Sequence, residues 1–356
     1  MKKHNFSAGP AILPQSVKEK ASQAAVDYNN SGLSLMEMSH RGKEFVEILN
    51  KAEKNVRTLL GVDDNYAVLF LTGGASTQFF MTAMNLANPN DNIAYVDTGA
   101  WSSKAIKEAK LFSNVNVIAS SKEANYNYIP EIVPPSMTPK YMHLTSNNTI
   151  YGTQIKEWPD VTCPFVCDMS SDIFSRPLPL EKFGVIYAGA QKNVGPAGVS
   201  LVIIKKELLG KVERQLPTIL NYQTHIDKGS SFNTPPVFPI YVTMLTLQWT
   251  IDNGGVSAMA KRNSEKSQLL YNEIDSNDLF VGTAQVSSRS NMNATFLLKD
   301  ESLTDAFLED CQAAGIVGIK GHRSVGGFRA SMYNAMGLDS VQALVDVMNS
   351  FSKKHG

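Results

Sequence analysis

The chain has 356 residues, 43% of them apolar, with 33 basic and 33 acidic side chains. Zero formal net charge removes the broad basic footprint of a nucleic-acid binder, but it permits a local basic pocket for a small anion. Three cysteines in this length make no disulfide framework. Cys163 and Cys167 have no His or Cys cluster beside them to complete a zinc site, so with Cys311 they are expected to be packed thiols in a reducing compartment.

The first ten residues carry two lysines but no apolar core of signal-peptide length. No apolar run is long enough to span a bilayer. The expectation is a soluble cytoplasmic protein of about two domains.

Taken in chain order, short apolar runs at 66–71, 93–96, 115–118, 141–144, 165–167, 185–188 and 199–204 read as buried strands. Most are apolar at consecutive positions, as strands covered on both faces should be. Helix-length patterns such as 77–86 and 102–111 lie between them, and this alternation predicts an α/β domain with a mostly parallel sheet. Residues 130–139 hold four prolines and read as a loop. After about residue 240 the character changes. Long helices are expected at 240–251 and 256–274, then a strand at 294–298, a helix at 303–314, a strand at 328–332 and a final helix through Val341, Leu344, Val345, Met348 and Phe351. This part reads as a smaller α+β domain.

The segment 188–198, AGAQKNVGPAG, follows an apolar strand and places Lys192 among small residues. A partly desolvated lysine there would have a lowered amine pKa and could form a Schiff base, and the small neighbours would let a flat cofactor approach the backbone. An exposed turn lysine is the plain alternative. Asp168 ends the run one strand earlier. A carboxylate at that place could face a cofactor's ring nitrogen, or could simply cap the following turn. Strand ends of this kind are where ligands bind in open α/β sheets.

Residues 72–77, TGGAST, lie between a strand and a helix, so backbone N–H groups there could hold a phosphate, although the glycine spacing fits neither the dinucleotide nor the Walker pattern. Trp101 could stack on a ring or sit in a core. Two basic clusters, His40 with Arg41 and His322 with Arg323 and Arg329, suit carboxylate and phosphate oxygens if they are not merely solvated surface.

Together these segments resemble the family of phosphoserine aminotransferases, pyridoxal phosphate (PLP) enzymes of fold type I in the class-V aminotransferases. The resemblance is carried in order by 5–14 (NFSAGPAILP), 38–41 (MSHR), 73–76 (GGAS), 168–176 (DMSSDIFSR), 187–198 (YAGAQKNVGPAG), 232–236 (FNTPP) and 325–334 (VGGFRASMYN), so it covers essentially the whole chain. It implies a large domain at 16–254 with a mostly parallel seven-stranded sheet, a smaller α+β domain at 255–356, and an N-terminal segment at 1–15 packed with the small domain. It implies Lys192 as the residue of the internal aldimine, Asp168 against the pyridine nitrogen, Trp101 stacked on the ring and Thr149 on its phenolic oxygen. Ala75, Ser76 and Gln191 would hold the cofactor phosphate, with Asn233 and Thr234 reaching it from a second subunit of a homodimer. Arg329 would grip the substrate α-carboxylate. Arg41, His40, His322 and Arg323 would read the phosphate of phosphoserine or the far carboxylate of glutamate.

The implied reaction is reversible transamination of 3-phosphooxypyruvate with L-glutamate to O-phospho-L-serine and 2-oxoglutarate in serine biosynthesis. 4-Phosphohydroxy-L-threonine, on the route to pyridoxine, is a further substrate the sequence does not decide. Ser76 stands where some members carry arginine, and Ala8 where some carry serine. Other fold type I enzymes compete, namely alanine–glyoxylate aminotransferases and cysteine desulfurases, but a desulfurase would want a reactive cysteine on a mobile loop. A non-catalytic PLP-binding protein would not need both Lys192 and Asp168, and a NAD-dependent dehydrogenase would need the missing glycine fingerprint.

Overall fold

A computed structural model describes residues 2–135 and 137–356. Met1, and Ser136 within the loop expected at 130–139, lie outside the described residues.

Seven strands form the main sheet: β1 (Tyr66–Leu71), β2 (Asn92–Asp97), β3 (Asn114–Ser120), β4 (Met142–Thr145), β5 (Phe165–Asp168), β6 (Phe183–Gly189) and β7 (Ser200–Lys205). Their order is β1-β7-β6-β5-β4-β2-β3, and β7 runs antiparallel to both its neighbours while the other pairings are parallel. Each run expected to be a strand is one. The reason is visible in β1, where Tyr66, Val68 and Phe70 enter one hydrophobic cluster and Ala67, Leu69 and Leu71 the cluster on the opposite face. Both faces of the pleat are covered, so alternation disappears from the sequence.

The first face is covered by α1 (Gln15–Val26), α2 (Lys43–Leu60) and α6 (Val237–Asp252), the second by α3 (Gly74–Leu86), α4 (Ala100–Ala109) and the short α5 (Tyr222–Asp227). Helices α1, α2 and α5 were not anticipated. For α2 the signal was present: Phe45, Ile48, Ala52, Val56 and Leu59 recur at helical spacing and are all buried, and Gly61 ends the helix at φ 67. One expectation needs correction. The run at 115–118 is not a buried strand but part of edge strand β3, where Val117 is 41% exposed.

A second core gathers the rest of the chain: α7 (Gly255–Ser276), β8 (Phe280–Gly282), β9 (Asn293–Leu298), α8 (Thr304–Ala313), β10 (Phe328–Ser331) and α9 (Leu338–His355). The three strands are antiparallel in the order β8-β9-β10. Phe307 packs edge-to-face on Phe280, Phe328 and Phe351 with ring centroids 4.8–5.2 Å apart, a geometry favoured by the ring quadrupole. Phe6 and Ile12 belong to this core, and His4–Asn5 pairs in parallel with Ile316–Val317. Among the described residues no helix is long and apolar enough to cross a membrane.

Candidate active site

The parallel strands deliver their carboxyl ends to one side of the sheet, and there a cavity of about 150 Å³ opens. After β1, Gly73 holds φ 89 and leads into α3. A Cβ at Gly73 would lie 2.0 Å from Thr77 Oγ1, which instead donates to the Gly73 carbonyl at 2.9 Å. The turn therefore requires glycine. It points the first turn of α3, with Gly74, Ala75 and Ser76, into the cavity, where N–H groups lack partners within the helix.

After β2, Asp97 accepts hydrogen bonds from Ser102 Oγ at 2.9 Å, Ser103 Oγ at 2.8 Å and the Tyr126 hydroxyl at 3.1 Å. Ser102 Oγ in turn accepts from the N–H groups of Thr98 and Gly99 at 2.9 Å. This network fixes the start of α4 and sets Trp101 in the cavity wall, with its Nε1 buried and without a partner. The Lys104 ammonium lies 4.4 Å from the Trp101 ring centroid.

Asp168 closes β5 and is only 6% exposed. It accepts from the Ser170 N–H at 2.9 Å. Burial pushes its carboxyl above the usual range, with a smaller push from Asp172 and an opposing pull from Lys192. Lys192 follows β6 in a tight turn, where the Ala190 carbonyl accepts from both the Lys192 and Gly195 N–H groups. Its Nζ donates to Thr149 Oγ1 at 3.0 Å. Burial brings the amine down to about 8, Asp168 resists that fall, and Arg329 adds to it. Amine and carboxylate thus face one cavity, with Gln191 beside them.

Arg329 lies on β10, from the second core, yet acts electrostatically on Lys192. Its Nε is buried without a partner, and burial lowers the guanidinium from its ordinary value. His322 is lowered first by burial and then by Arg329, Arg323 and Lys104, so three cations gather around a histidine whose charged form they disfavour. One chain does not bring every expected residue to the cavity, and Arg329, His322 and Arg323 stand outside its lining too. His40 and Arg41 lie in the loop before α2, with Arg41 exposed. Thr234, on the loop before α6, is exposed and Asn233 half-buried, and neither lines the cavity.

Sequence reasoning passed over Phe79, Thr145, Asn147, Ser170 and Ser171, which line the cavity, and Tyr333, whose hydroxyl donates to the Ala8 carbonyl at 2.7 Å and also reaches Thr149. Most are small polar residues with no pattern of their own; only their position just after β4 and β5 marked them. All three cysteines are buried, and burial raises each thiol, Cys311 to about 12. None has the lowered pKa of a nucleophile.

A strand-end lysine facing a carboxylate across a mostly parallel sheet defines a class of protein, and the model of the family Aminotransferase class-V matches residues 3–344: the chain belongs to that family. Within it, the similar proteins are phosphoserine aminotransferases. The one from Flavobacterium psychrophilum is 58% identical over 99% of this chain and 100% of its own. The structure of phosphoserine aminotransferase from Bacillus circulans subsp. alkalophilus superposes with a TM-score of 0.96 at 45% identity, covering 100% of this chain and 99% of that one. PLP-bound phosphoserine aminotransferase from Trichomonas vaginalis gives 0.92 at 38% identity, over 98% and 100% of the two chains.

Proposed function

We propose that this chain is a PLP-dependent phosphoserine aminotransferase, interconverting 3-phosphooxypyruvate and L-glutamate with O-phospho-L-serine and 2-oxoglutarate in L-serine biosynthesis. The observation that carries the reading is the convergence of Lys192 Nζ and the buried Asp168 carboxylate on one cavity, in a chain 58% identical along its length to a protein of that name.

The residues present fit the cofactor. Asp168 is a desolvated carboxylate short of a cation, which a pyridinium N–H would supply. Trp101 offers a flat wall, and the first turn of α3 with Ser76 and Gln191 offers donors for a phosphate. Thr149 would hold the phenolic oxygen. When bound, PLP supplies a carbonyl carbon for the amino group and a ring that accepts the electron pair left on the substrate α-carbon.

The chain's own groups do the rest. Asp168 keeps a proton on the ring nitrogen. Lys192, with an amine near 8, is partly neutral at physiological pH and can take the proton from the substrate α-carbon and hand it on across the nitrogen. Arg329, half-buried and with no acidic partner among the described residues, binds the α-carboxylate and so orients the bond to be broken. His322 and Arg323 receive the phosphate or the far carboxylate. His40, Arg41, Asn233 and Thr234 reach the site from the second subunit of a homodimer. 4-Phosphohydroxy-L-threonine, which shares the phosphate and the α-amino acid, is accepted at the same groups. The buried thiols suit a cytoplasmic setting.

The test is a half-reaction of the PLP-loaded protein with O-phosphoserine and no keto acid, followed by the absorbance of the bound cofactor. A change with phosphoserine and none with serine or alanine is expected. A change with alanine but not phosphoserine would overturn the substrate, and no cofactor band after added PLP would overturn the chemistry.

A further inference from the structure

Lys266, on α7, is 1% exposed. Its ammonium donates to the carbonyls of Met332 at 2.9 Å and Tyr333 at 2.8 Å. No acidic side chain is among the influences on it; burial lowers the amine to about 7, and Arg262 adds to the fall. A buried ammonium with no counter-ion among the described residues is costly in an ordinary core. A methionine would fill the same space without that cost.

What it holds is the segment just after β10. One turn earlier on α7, Asn263 Nδ2 donates to Asn334 Oδ1 at 2.8 Å. The Asn334 N–H donates to Asn193 Oδ1 at 3.0 Å, and Asn193 is the chain neighbour of Lys192. Asn334 Nδ2 donates to the Phe174 carbonyl at 2.9 Å, in the segment that follows Asp168. The side chain of Tyr333, whose carbonyl Lys266 holds, reaches Thr149, the partner of Lys192. Residues 332–334 are thus gripped from α7 on one side and tied to the Lys192 turn on the other, three to five positions beyond Arg329.

We propose that Lys266 is a positioning residue, fixing the segment 332–334 so that the Arg329 guanidinium stands at the right distance from Lys192 to seat a substrate carboxylate. The inference rests on the aminotransferase reading above. Lys266 touches neither cofactor nor substrate; it acts through two backbone carbonyls. Arg329 and Lys192 belong to different cores, so their separation depends on this seam, and a small misplacement of a carboxylate clamp is costly in catalysis.

The experiment compares wild-type and Lys266→Met holoenzymes, with Asn263→Ala as a second variant. The wild-type half-reaction is the control that separates failure of this proposal from failure of the functional reading. Lys266→Met is expected to keep the wild-type cofactor spectrum and melting temperature, to raise KM for both amino-acid substrates by roughly tenfold, and to leave kcat within about threefold. A folded Lys266→Met with unchanged KM overturns the proposal. If that variant is unstable, Asn263→Ala decides: a raised KM at unchanged melting temperature supports positioning. Unchanged KM, or KM, kcat and melting temperature worsening together, assigns these residues to stability alone and overturns it.

Discussion

Lys192 Nζ donates to Thr149 Oγ1 at 3.0 Å, joining the turn after β6 to the loop after β4. The bond holds the amine inside the cavity, where burial brings it to about 8. In cofactor-free protein the rate of PLP attachment should therefore rise with pH and level off just above about 8. A plateau only near the ordinary lysine value would refute a buried amine. Lys192→Ala should cut transamination by at least about ten-thousandfold, since proton transfer and attachment are lost together; retention of a tenth of the activity would sink the assignment.

Asp168 makes an opposite prediction for stability and activity. Its folded pKa is raised by burial, so without cofactor its contribution is complete below the unfolded carboxylate value and is lost as pH rises through the folded one. In the cofactor-free protein burial works against the ionised form of this carboxyl. Asp168→Asn should leave the cofactor-free protein as stable or more so, measured by its melting temperature at pH 7, while activity falls about a hundred- to a thousandfold. A less stable cofactor-free variant would show that the carboxylate is held by native partners rather than waiting for a cation.

Arg329 is half-buried, and its enclosed Nε lacks a partner among the described residues. Hydrogen bonds to a charged group contribute about 1.5–3 kcal/mol, so Arg329→Leu should raise KM for glutamate and phosphoserine by roughly ten- to a hundredfold. The two substrates share the α-carboxylate, and the effect should be similar for both. A change confined to phosphoserine would move Arg329 to the phosphate end.

The placement of Arg41 outside the cavity of its own chain gives a test of shared sites. Arg41→Ala and Lys192→Ala homodimers should each be nearly inactive. Mixed and allowed to exchange subunits, they should recover activity toward roughly a quarter of wild type, because each mixed dimer regains one complete site. No recovery despite subunit exchange would place Arg41 in the site of its own chain, beside the same chain's Lys192.

The main sheet was legible because its strands are buried on two faces and therefore apolar at every position. Edge strand β3 misled for the same reason: Val115, Val117 and Ile118 look like core, but the faces of this strand are only partly covered and Val117 stands exposed. Lys192 and Asp168 could be marked as candidates because each follows or ends such a run. Tyr333, Asn147 and Ser171 could not, since they matter only through contacts made across the chain: Asn147 Nδ2 bonds Asn293 Oδ1 at 2.7 Å and Ser171 Oγ at 2.8 Å. Helices α1 and α2 carry no chemistry in this chain's cavity, and attention to motifs passed over α2 although its apolar stripe was complete.

The pairing of His4–Asn5 with Ile316–Val317 couples residues more than three hundred positions apart. A ribosome delivers the first partner long before the second, so that ladder forms only after residue 317 has emerged. Until then Phe6, fully enclosed in the finished molecule, has no permanent neighbours. The order of assembly is thereby built in: the sheet with its lysine and aspartate can form early, and the lobe bearing Arg329 locks later, with residues 4–5 and 316–317 as its fastener.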